Sequence, residues 1–343
     1  MRNSRNLRYA TVGLSFLFLI LLAAPAFGGA VITNGAGIYL GVADNGQLGY
    51  TDGVTTTVNG SYGAVGVAIQ ADLSAYGRGS GIFDATTPGC ICEGWGVAIN
   101  GTTGGGANTD TPPGPSDNIS FVSFASTAST ATVVTNLNGT GMQVTQAYQP
   151  SSSLALFKDY VTLTNTSGAP MTDVTYRRVM DWDIPPGEFD ELVTIQGWGA
   201  TSLIQTSDNG FTESNPLDAT GEISPGCFDS NCYRNGPADH GALFDFDFGS
   251  LAAGQSVSFD IFYGAATSTV DAIDALSDVG AEVYSLGQWG AGGTDGAPIT
   301  YAFGFKGVGG TPIPPSGVPE PASFGLIAIG SGLLALGRRL VRR

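Results

Sequence analysis

The stretch Leu243-Phe244-Asp245-Phe246-Asp247-Phe248 alternates strictly between apolar and acidic side chains. A second stretch, Ser256-Val257-Ser258-Phe259-Asp260-Ile261-Phe262-Tyr263, places Val257, Phe259, Ile261 and Tyr263 on one side of an extended chain. A period of two residues is typical of a β-strand that buries one face and exposes the other. Both stretches therefore predict strands with an inward apolar face.

Similar patterns extend outward in both directions. Turn signals such as Asn45-Gly46 and Asp208-Asn209-Gly210 separate short apolar patches, and 52 of the 343 residues are glycine. Further strands are predicted in the segments 37–50, 64–69, 132–134, 142–148, 154–164, 174–183, 192–195 and 299–305. The fold class predicted is mainly β, an antiparallel β-sandwich or sandwiches, with a β-rich region at 27–117 and a sandwich region at 118–310.

One α-helix is predicted near 269–286, in the C-terminal half, packed on a sheet. Its apolar stripe has spacings of three and four residues and consists of Val270, Ile273, Leu276, Val279 and Val283. Ser268 and Asp271 fit a capping box at its start, and Gly287 is expected to end it.

Both ends of the chain carry targeting patterns. Residues 1–26 are predicted to be a secretory signal peptide, because Arg2, Arg5 and Arg8 precede an apolar run and Ala24-Pro25-Ala26 offers a cleavage site. At the other end, a Pro-rich spacer at 311–317 leads to Val318-Pro319-Glu320-Pro321 and a predicted transmembrane segment at 322–337. The closing arginines, which would stop transfer on the cytoplasmic side, are Arg338, Arg339, Arg342 and Arg343.

The tail at 318–343 resembles the PEP-CTERM sorting signal of exported bacterial proteins, which is also catalogued as an ice-binding-protein C-terminal domain. The resemblance rests on Val318-Pro319-Glu320-Pro321, on the Gly- and Leu-rich apolar segment and on the basic end. It implies recognition by an exosortase, a membrane protease, after export through the inner membrane. It further implies a transient membrane anchor, cleavage near the motif, and delivery to the cell surface or an exopolysaccharide matrix. A plain single-pass anchor is the alternative.

The body between the two ends is strongly acidic. It holds six basic residues and 28 acidic residues, a formal charge of 6 − 28 = −22. Such a charge repels nucleic acid and anionic membranes and attracts divalent cations. Membrane contact is therefore expected only through the tail.

Four cysteines occur as Cys90-x-Cys92 and Cys227-x4-Cys232. In an exported protein an even number predicts disulfides, and neither spacing suits a four-thiolate zinc site. A bridge between Cys90 and Cys92 would close a very small ring. We therefore expect two bridges that join the Cys90/Cys92 segment to the Cys227/Cys232 segment.

The most concentrated polar stretch runs from Tyr176 to Glu191. As a strand, 176–183 places Tyr176, Arg178, Met180 and Trp182 on one face and Arg177, Val179, Asp181 and Asp183 on the other. Arg178 amid apolar neighbours should need a buried carboxylate partner. Three interpretations of the acids stay open: a structural ladder of Arg177 against Asp181 and Asp183, a calcium site built from Asp181, Asp183, Asp190 and Glu191, or a glycosidase carboxylate pair.

Catalytic patterns are few. The single histidine, His240, lies in a polar segment beside Asp239, and no G-x-S-x-G motif is present. We predict no catalytic residue and no cofactor other than calcium.

The function predicted is an exported structural or adhesive protein of the surface or matrix. The alternative is a carbohydrate-binding or carbohydrate-cleaving protein, which an exposed Trp95, Trp182, Trp198 or Trp289 would support. Ice binding would require a regular ladder of threonines, and the run Thr55-Thr56-Thr57 is not one.

Overall fold

The computed structural model describes residues 28–107, 116–293 and 295–315. The predicted signal peptide at 1–26 and the predicted sorting tail at 318–343, with its apolar segment and arginines, lie outside the described residues. Within the described ranges, no helix is both long enough and apolar enough to cross a membrane.

The described residues form nineteen strands, one α-helix and one short 3-10 helix at Ser74–Tyr76. The first strands are β1 Gly29–Thr33, β2 Ile38–Ala43, β3 Val67–Asp72, β4 Ser80–Asp84, β5 Glu93–Ile99, β6 Thr103–Ala107 and β7 Ser116–Asp117. The next are β8 Ile119–Ser126, β9 Ala131–Leu137, β10 Met142–Pro150, β11 Leu156–Asn165, β12 Thr175–Trp182, β13 Glu191–Gln196 and β14 Leu203–Ser207. The last elements are β15 Cys232–Ala238, β16 His240–Asp247, β17 Ser256–Ala266, α1 Thr269–Val279, β18 Val283–Trp289 and β19 Thr300–Lys306.

Three antiparallel sheets result. A nine-stranded sheet has the order β15-β13-β18-β19-β17-β11-β10-β9-β8, and a six-stranded sheet has the order β14-β16-β12-β5-β6-β7. A four-stranded sheet follows chain order from β1 to β4. Because β5, β6 and β7 pair into the same sheet as β12, strands from the 27–117 and 118–310 regions share one sheet.

The nine-stranded and six-stranded sheets pack face to face, which confirms the sandwich. Aromatic rings from the two alternating stretches meet between them: Phe246 of β16 lies 4.6 Å from Phe305 of β19, and 6.3 Å from Phe259 of β17, between ring centroids. Phe259, Ile261 and Tyr263 are buried in this core, as the period of two predicts, while Val257 is half-buried beside it.

The four-stranded sheet contributes to the same continuous core. Ile38, Leu40 and Phe83 belong to it, and Tyr301 of β19 donates a hydrogen bond to the carbonyl of Phe83 at 2.8 Å. The inner face of the nine-stranded sheet is thus covered by strands from both smaller sheets.

Helix α1 covers the opposite face of the nine-stranded sheet. Its Ala272, Leu276 and Val279 pack on Phe262 and Ala302 in a second, smaller core. Ser268 caps its start by accepting a hydrogen bond from the Asp271 amide at 3.1 Å, as predicted. The predicted end at Gly287 is wrong.

The helix stops at Gly280, a left-handed residue with φ of 73°. A left-handed glycine is a common helix terminator. Val283, expected on the helical stripe, begins β18 instead, and Val270 is 60% exposed. The buried apolar face of α1 therefore consists of Ala272, Ala275, Leu276 and Val279.

Candidate functional site

Four carboxylates gather where strands from both large sheets end, and we call them the acid cluster: Asp181, Asp183, Glu191 and Asp239. Asp181 lies near the end of β12, and Asp183 follows that strand. Trp182 between them points into the core, where its indole nitrogen donates to the Ser285 hydroxyl at 3.1 Å. Alternation along an extended chain then sends both aspartates to the other side.

The backbone holds these two aspartates in place. The amide of Asp181 donates to the carbonyl of Cys92, and the amide of Asp183 donates to the carbonyl of Ala85, each at 2.8 Å. One carboxylate oxygen from each of Asp181, Asp183 and Asp239 lies within 4.8 Å of the others. Asp181 and Asp183 are buried, whereas Asp239 is exposed and connects the cluster to the surface.

Several buried oxygens of the acid cluster have no hydrogen-bond partner among the described residues. They are Asp181 Oδ1, both carboxylate oxygens of Asp183, and Glu191 Oε2. The other oxygen of Glu191 accepts hydrogen bonds from the amides of Ile184 at 3.1 Å and Phe189 at 2.6 Å, which fixes its carboxylate. Buried polar atoms are nearly always hydrogen-bonded, so four such oxygens in one place need an explanation.

Burial and mutual repulsion raise the pKa values of the carboxyl groups in the acid cluster. Burial raises the pKa of Asp181 to about 8, with a contribution from the charge of Asp239. Burial and then the neighbouring charges of Asp181 and Glu191 raise the pKa of Asp183 to about 11. Burial raises the pKa of Glu191 to about 9. At neutral pH these groups must therefore hold protons or share a cation.

Of the four residues predicted as calcium ligands, the structure places Asp181 and Asp183 in a three-carboxylate group with Asp239. Glu191 lies close enough for its charge to raise the pKa of Asp183, whereas Asp190 is exposed and outside this group. Asp239 was not predicted as a member of the cluster, and its signal in the sequence was its position beside the single histidine.

The predicted ladder of Arg177 against Asp181 and Asp183 is wrong. Arg177 instead forms a two-point ion pair with Asp245, at 2.7 Å from Nε to Oδ1 and 2.8 Å from Nη2 to Oδ2. The reason is sheet register, since Arg177 of β12 lies directly opposite Asp245 of β16. Cross-strand neighbours meet at closer range than residues along one strand.

Arg178 finds the buried carboxylate partner that the sequence predicted. Its Nε pairs with Glu93 of β5, and both side chains are fully buried. Its Nη1 donates to Gln146 Oε1 at 2.6 Å, and its guanidinium lies 5.3 Å from the centre of the Tyr263 ring. All of its polar contacts are internal, so this network holds the two large sheets together.

His240 is a buried structural residue rather than a loop residue. It begins β16, with Nδ1 at 3.1 Å from Asp208 Oδ2 and Nε2 at 3.1 Å from the carbonyl of Glu191. Burial alone would raise the pKa of Asp208, but hydrogen bonds from His240 and from the amides of Ile223 and Ser224 outweigh it and hold that pKa below its usual value.

The predicted disulfide pairing is wrong, although all four cysteines are bonded. Cys90 is joined to Cys92, and Cys227 is joined to Cys232. The backbone around Ile91 brings the Cα atoms of Cys90 and Cys92 to 5.4 Å, a separation that suits a disulfide. This bridge borders the acid cluster, with Cys90 Sγ at 4.0 Å from Asp181 Oδ2.

The acid cluster is better arranged to hold a cation than to cleave a glycoside. A glycosidase needs both carboxylates at a cleft where the sugar can reach them. Asp183 is fully buried and Asp181 is 2% exposed, so no sugar ring can reach both. Clustered oxygens of this kind are instead the ligands that hard cations prefer.

The comparisons with known proteins identify no family. No family model matches the chain, and no curated protein matches it. One solved structure that matches is a galactose mutarotase-like protein from Lactobacillus casei ATCC 334, at 12% identity and a TM-score of 0.30. The match covers 86% of this chain and 91% of that chain.

Proposed function

We propose that the chain is an exported protein with a structural or adhesive role at the cell surface or in an exopolysaccharide matrix, sorted by an exosortase through the tail at Val318–Pro321. The observation that carries this proposal is the charge distribution of the body. Arg177 and Arg178 are buried in ion pairs, so the basic side chains nearer the surface, among the residues that the structure describes, are Arg78, Lys158, Arg234 and Lys306. The exterior is therefore strongly anionic.

An anionic exterior fits a matrix component better than a partner of nucleic acid or of a bare anionic membrane. It repels both of these and stays soluble at high concentration. Divalent cations can bridge it to other anionic polymers. The export pattern at 1–26 and the sorting pattern at 318–343 would deliver such a body to the outside.

The test is expression in a bacterium that has an exosortase, followed by intact-mass measurement of the surface and matrix fractions. We expect the mature protein there to lack both ends. Replacing Pro319, Glu320 and Pro321 with alanine should abolish this delivery, whereas replacing Pro314 and Pro315 of the spacer should not. Protein in the matrix that still carries Arg338 to Arg343 would favour a plain membrane anchor and overturn the sorting proposal.

Carbohydrate binding is a second candidate, favoured by Trp198. Trp95 and Trp182 are buried, and Trp289 is half-buried against Tyr76, but Trp198 is 37% exposed. It lines a cavity of 310 Å³ together with Glu282 and Thr311. Asn231 Oδ1 accepts hydrogen bonds from the amides of Gly197 and Trp198, each at 2.9 Å, which rigidifies the loop.

A fixed, exposed indole is the kind of group on which a sugar ring can stack. Affinity electrophoresis in gels containing matrix polysaccharide tests this candidate. Trp198→Ala should abolish retardation, while Tyr233→Ala, which removes a 64% exposed aromatic ring that does not line this cavity, should leave it unchanged. Equal retardation of the wild type and Trp198→Ala would remove this candidate without affecting the sorting proposal.

A further inference from the structure

We propose that the acid cluster is a calcium site in which Asp181, Asp183 and Asp239 bind one ion and Glu191 supplies a further carboxylate. The site goes beyond the proposed surface role, since it concerns how the body is held together whatever its destination. Two observations carry it independently: the convergence of three carboxylates and the presence of buried oxygens that no described donor satisfies.

The three carboxylates are spaced as ligands of one shared ion would be. Calcium binds oxygen ligands at 2.3–2.6 Å, so two oxygens on one ion can be at most about 5 Å apart. The oxygens of Asp181, Asp183 and Asp239 all lie within 4.8 Å of one another. A single ion between them can therefore contact all three with at most a slight inward shift of the carboxylates.

The second observation is that Asp183 and Glu191 have buried carboxylate oxygens without hydrogen-bond donors among the described residues. Asp183 is 0% exposed, and neither of its oxygens meets a donor among the described residues. Glu191 is also 0% exposed, and only one of its oxygens is satisfied. Unpaired buried carboxylates are costly unless a cation or proton neutralises them.

No described cation takes this role. None of the ion pairs formed by the described residues includes a member of the acid cluster. Arg177 and Arg178 are committed to Asp245 and Glu93, and both ring nitrogens of His240 are engaged. The cluster therefore lacks a counter-charge that an external cation would provide.

The available ligand atoms favour a hard cation that accepts an irregular coordination geometry. The nearby sulfurs of Cys90 and Cys92 are joined in a disulfide, so they offer no thiolate to zinc or copper. Asp183 has both oxygens free and can bind in a bidentate manner, which calcium accepts. Magnesium instead demands a near-ideal octahedron and usually keeps several waters. Exposed Asp239 provides the entrance for the ion.

The position of the site gives binding a structural effect. Asp181 and Asp183 follow from β12 of the six-stranded sheet, whereas Glu191 begins β13 of the nine-stranded sheet. Asp239 lies between β15 and β16, which belong to different sheets. One ion would link both sheets at this end of the sandwich and stabilise the folded state by mass action.

The experiment compares the full chain, purified in mild detergent and stripped with EDTA, in thermal unfolding and isothermal titration with calcium chloride. We expect one ion per chain and a midpoint that rises by roughly 5 °C or more when calcium exceeds its Kd a hundredfold. Magnesium chloride at the same concentration should give a smaller rise.

Asp183→Asn makes the test specific. It removes an unpaired buried charge, so in EDTA its midpoint should equal or exceed that of the wild type, while its response to calcium should vanish. Asp239→Asn, at an exposed position that does not threaten folding, should weaken calcium binding roughly tenfold or more because ligand charge sets affinity. Asp190→Asn is the matched control, a neighbouring exposed carboxylate outside the cluster, and should bind calcium like the wild type.

Two results would overturn the proposal. One is the absence of any heat or midpoint shift for the wild type with calcium, magnesium or manganese at millimolar concentration. The other is an unchanged calcium response in both Asp183→Asn and Asp239→Asn. Neither result bears on export or sorting, which the mass measurement tests separately.

Discussion

Glu93→Gln tests the buried network between the two large sheets. Glu93 pairs with Arg178 Nε through one oxygen and accepts a hydrogen bond from the Leu48 amide at 2.6 Å through the other. Both ionic side chains are fully buried. Glutamine keeps the shape of the side chain, but it removes the negative charge beside the Arg178 guanidinium.

The expected loss of stability depends on which negative charges remain near Arg178. Removing one partner of a buried ion pair generally costs about 3–5 kcal/mol, because the other charge is left uncompensated. Asp159 is another buried acid whose carboxylate interacts with the charge of Arg178. Burial raises the pKa of Asp159 to about 7, and the charge of Glu93 contributes to that rise. Once Glu93 is neutral, Asp159 can ionise more readily and partly replace it.

We therefore expect Glu93→Gln to lower the free energy of unfolding by about 3 kcal/mol, the lower end of the range for a broken buried pair. The double variant Glu93→Gln/Asp159→Asn should lose more than the sum of the two single variants, because it leaves Arg178 with no negative neighbour in the network.

Guanidinium-induced unfolding at pH 6, below the raised pKa of Asp159, measures both effects. The control is Asp260→Asn, which breaks a partly exposed pair with Lys158 at 3.5 Å and should change stability by less than about 1 kcal/mol. A loss below about 1 kcal/mol for Glu93→Gln, or strict additivity in the double variant, would refute this account of the network.

Two further predictions concern pH and the helix cap. The pKa of Asp159 is raised from 3.8 to about 7 in the folded state, so this group makes stability fall as pH rises from about 4 to about 7, by about 4 kcal/mol in total. Asp159→Asn should flatten that part of the profile of unfolding free energy against pH, and an unchanged slope would contradict the assignment. Ser268→Ala should cost about 1 kcal/mol, because it removes the hydroxyl that accepts the Asp271 amide, and calorimetry showing no decrease in midpoint would exclude a capping role.

Sequence alone was enough for features whose physics is local. The alternation at 243–248 and 256–263 predicted strands correctly, although β16 is buried on both faces, with Asp245 3% exposed and paired with Arg177. The Ser268 cap was also predictable, since its partner Asp271 is three residues away. The need of Arg178 for a carboxylate followed from its apolar neighbours, although its partner Glu93 could not be named.

The tertiary structure determined the features that depend on the register of the sheets and on which strand ends lie together. The partner of Arg177 is Asp245 because β12 pairs with β16 in one particular register, which no local pattern specifies. The cysteine pairing is an exception, since both bridges are local; the sequence prediction failed there because spacing alone does not show the backbone course that brings the Cα atoms to 5.4 Å and 5.2 Å. Asp239 joins Asp181 and Asp183 because β15 and β16 belong to different sheets that meet at this end of the sandwich. Charge along the sequence shows that the body repels other anions, but only the packing of strands distant in sequence forces particular carboxylates together.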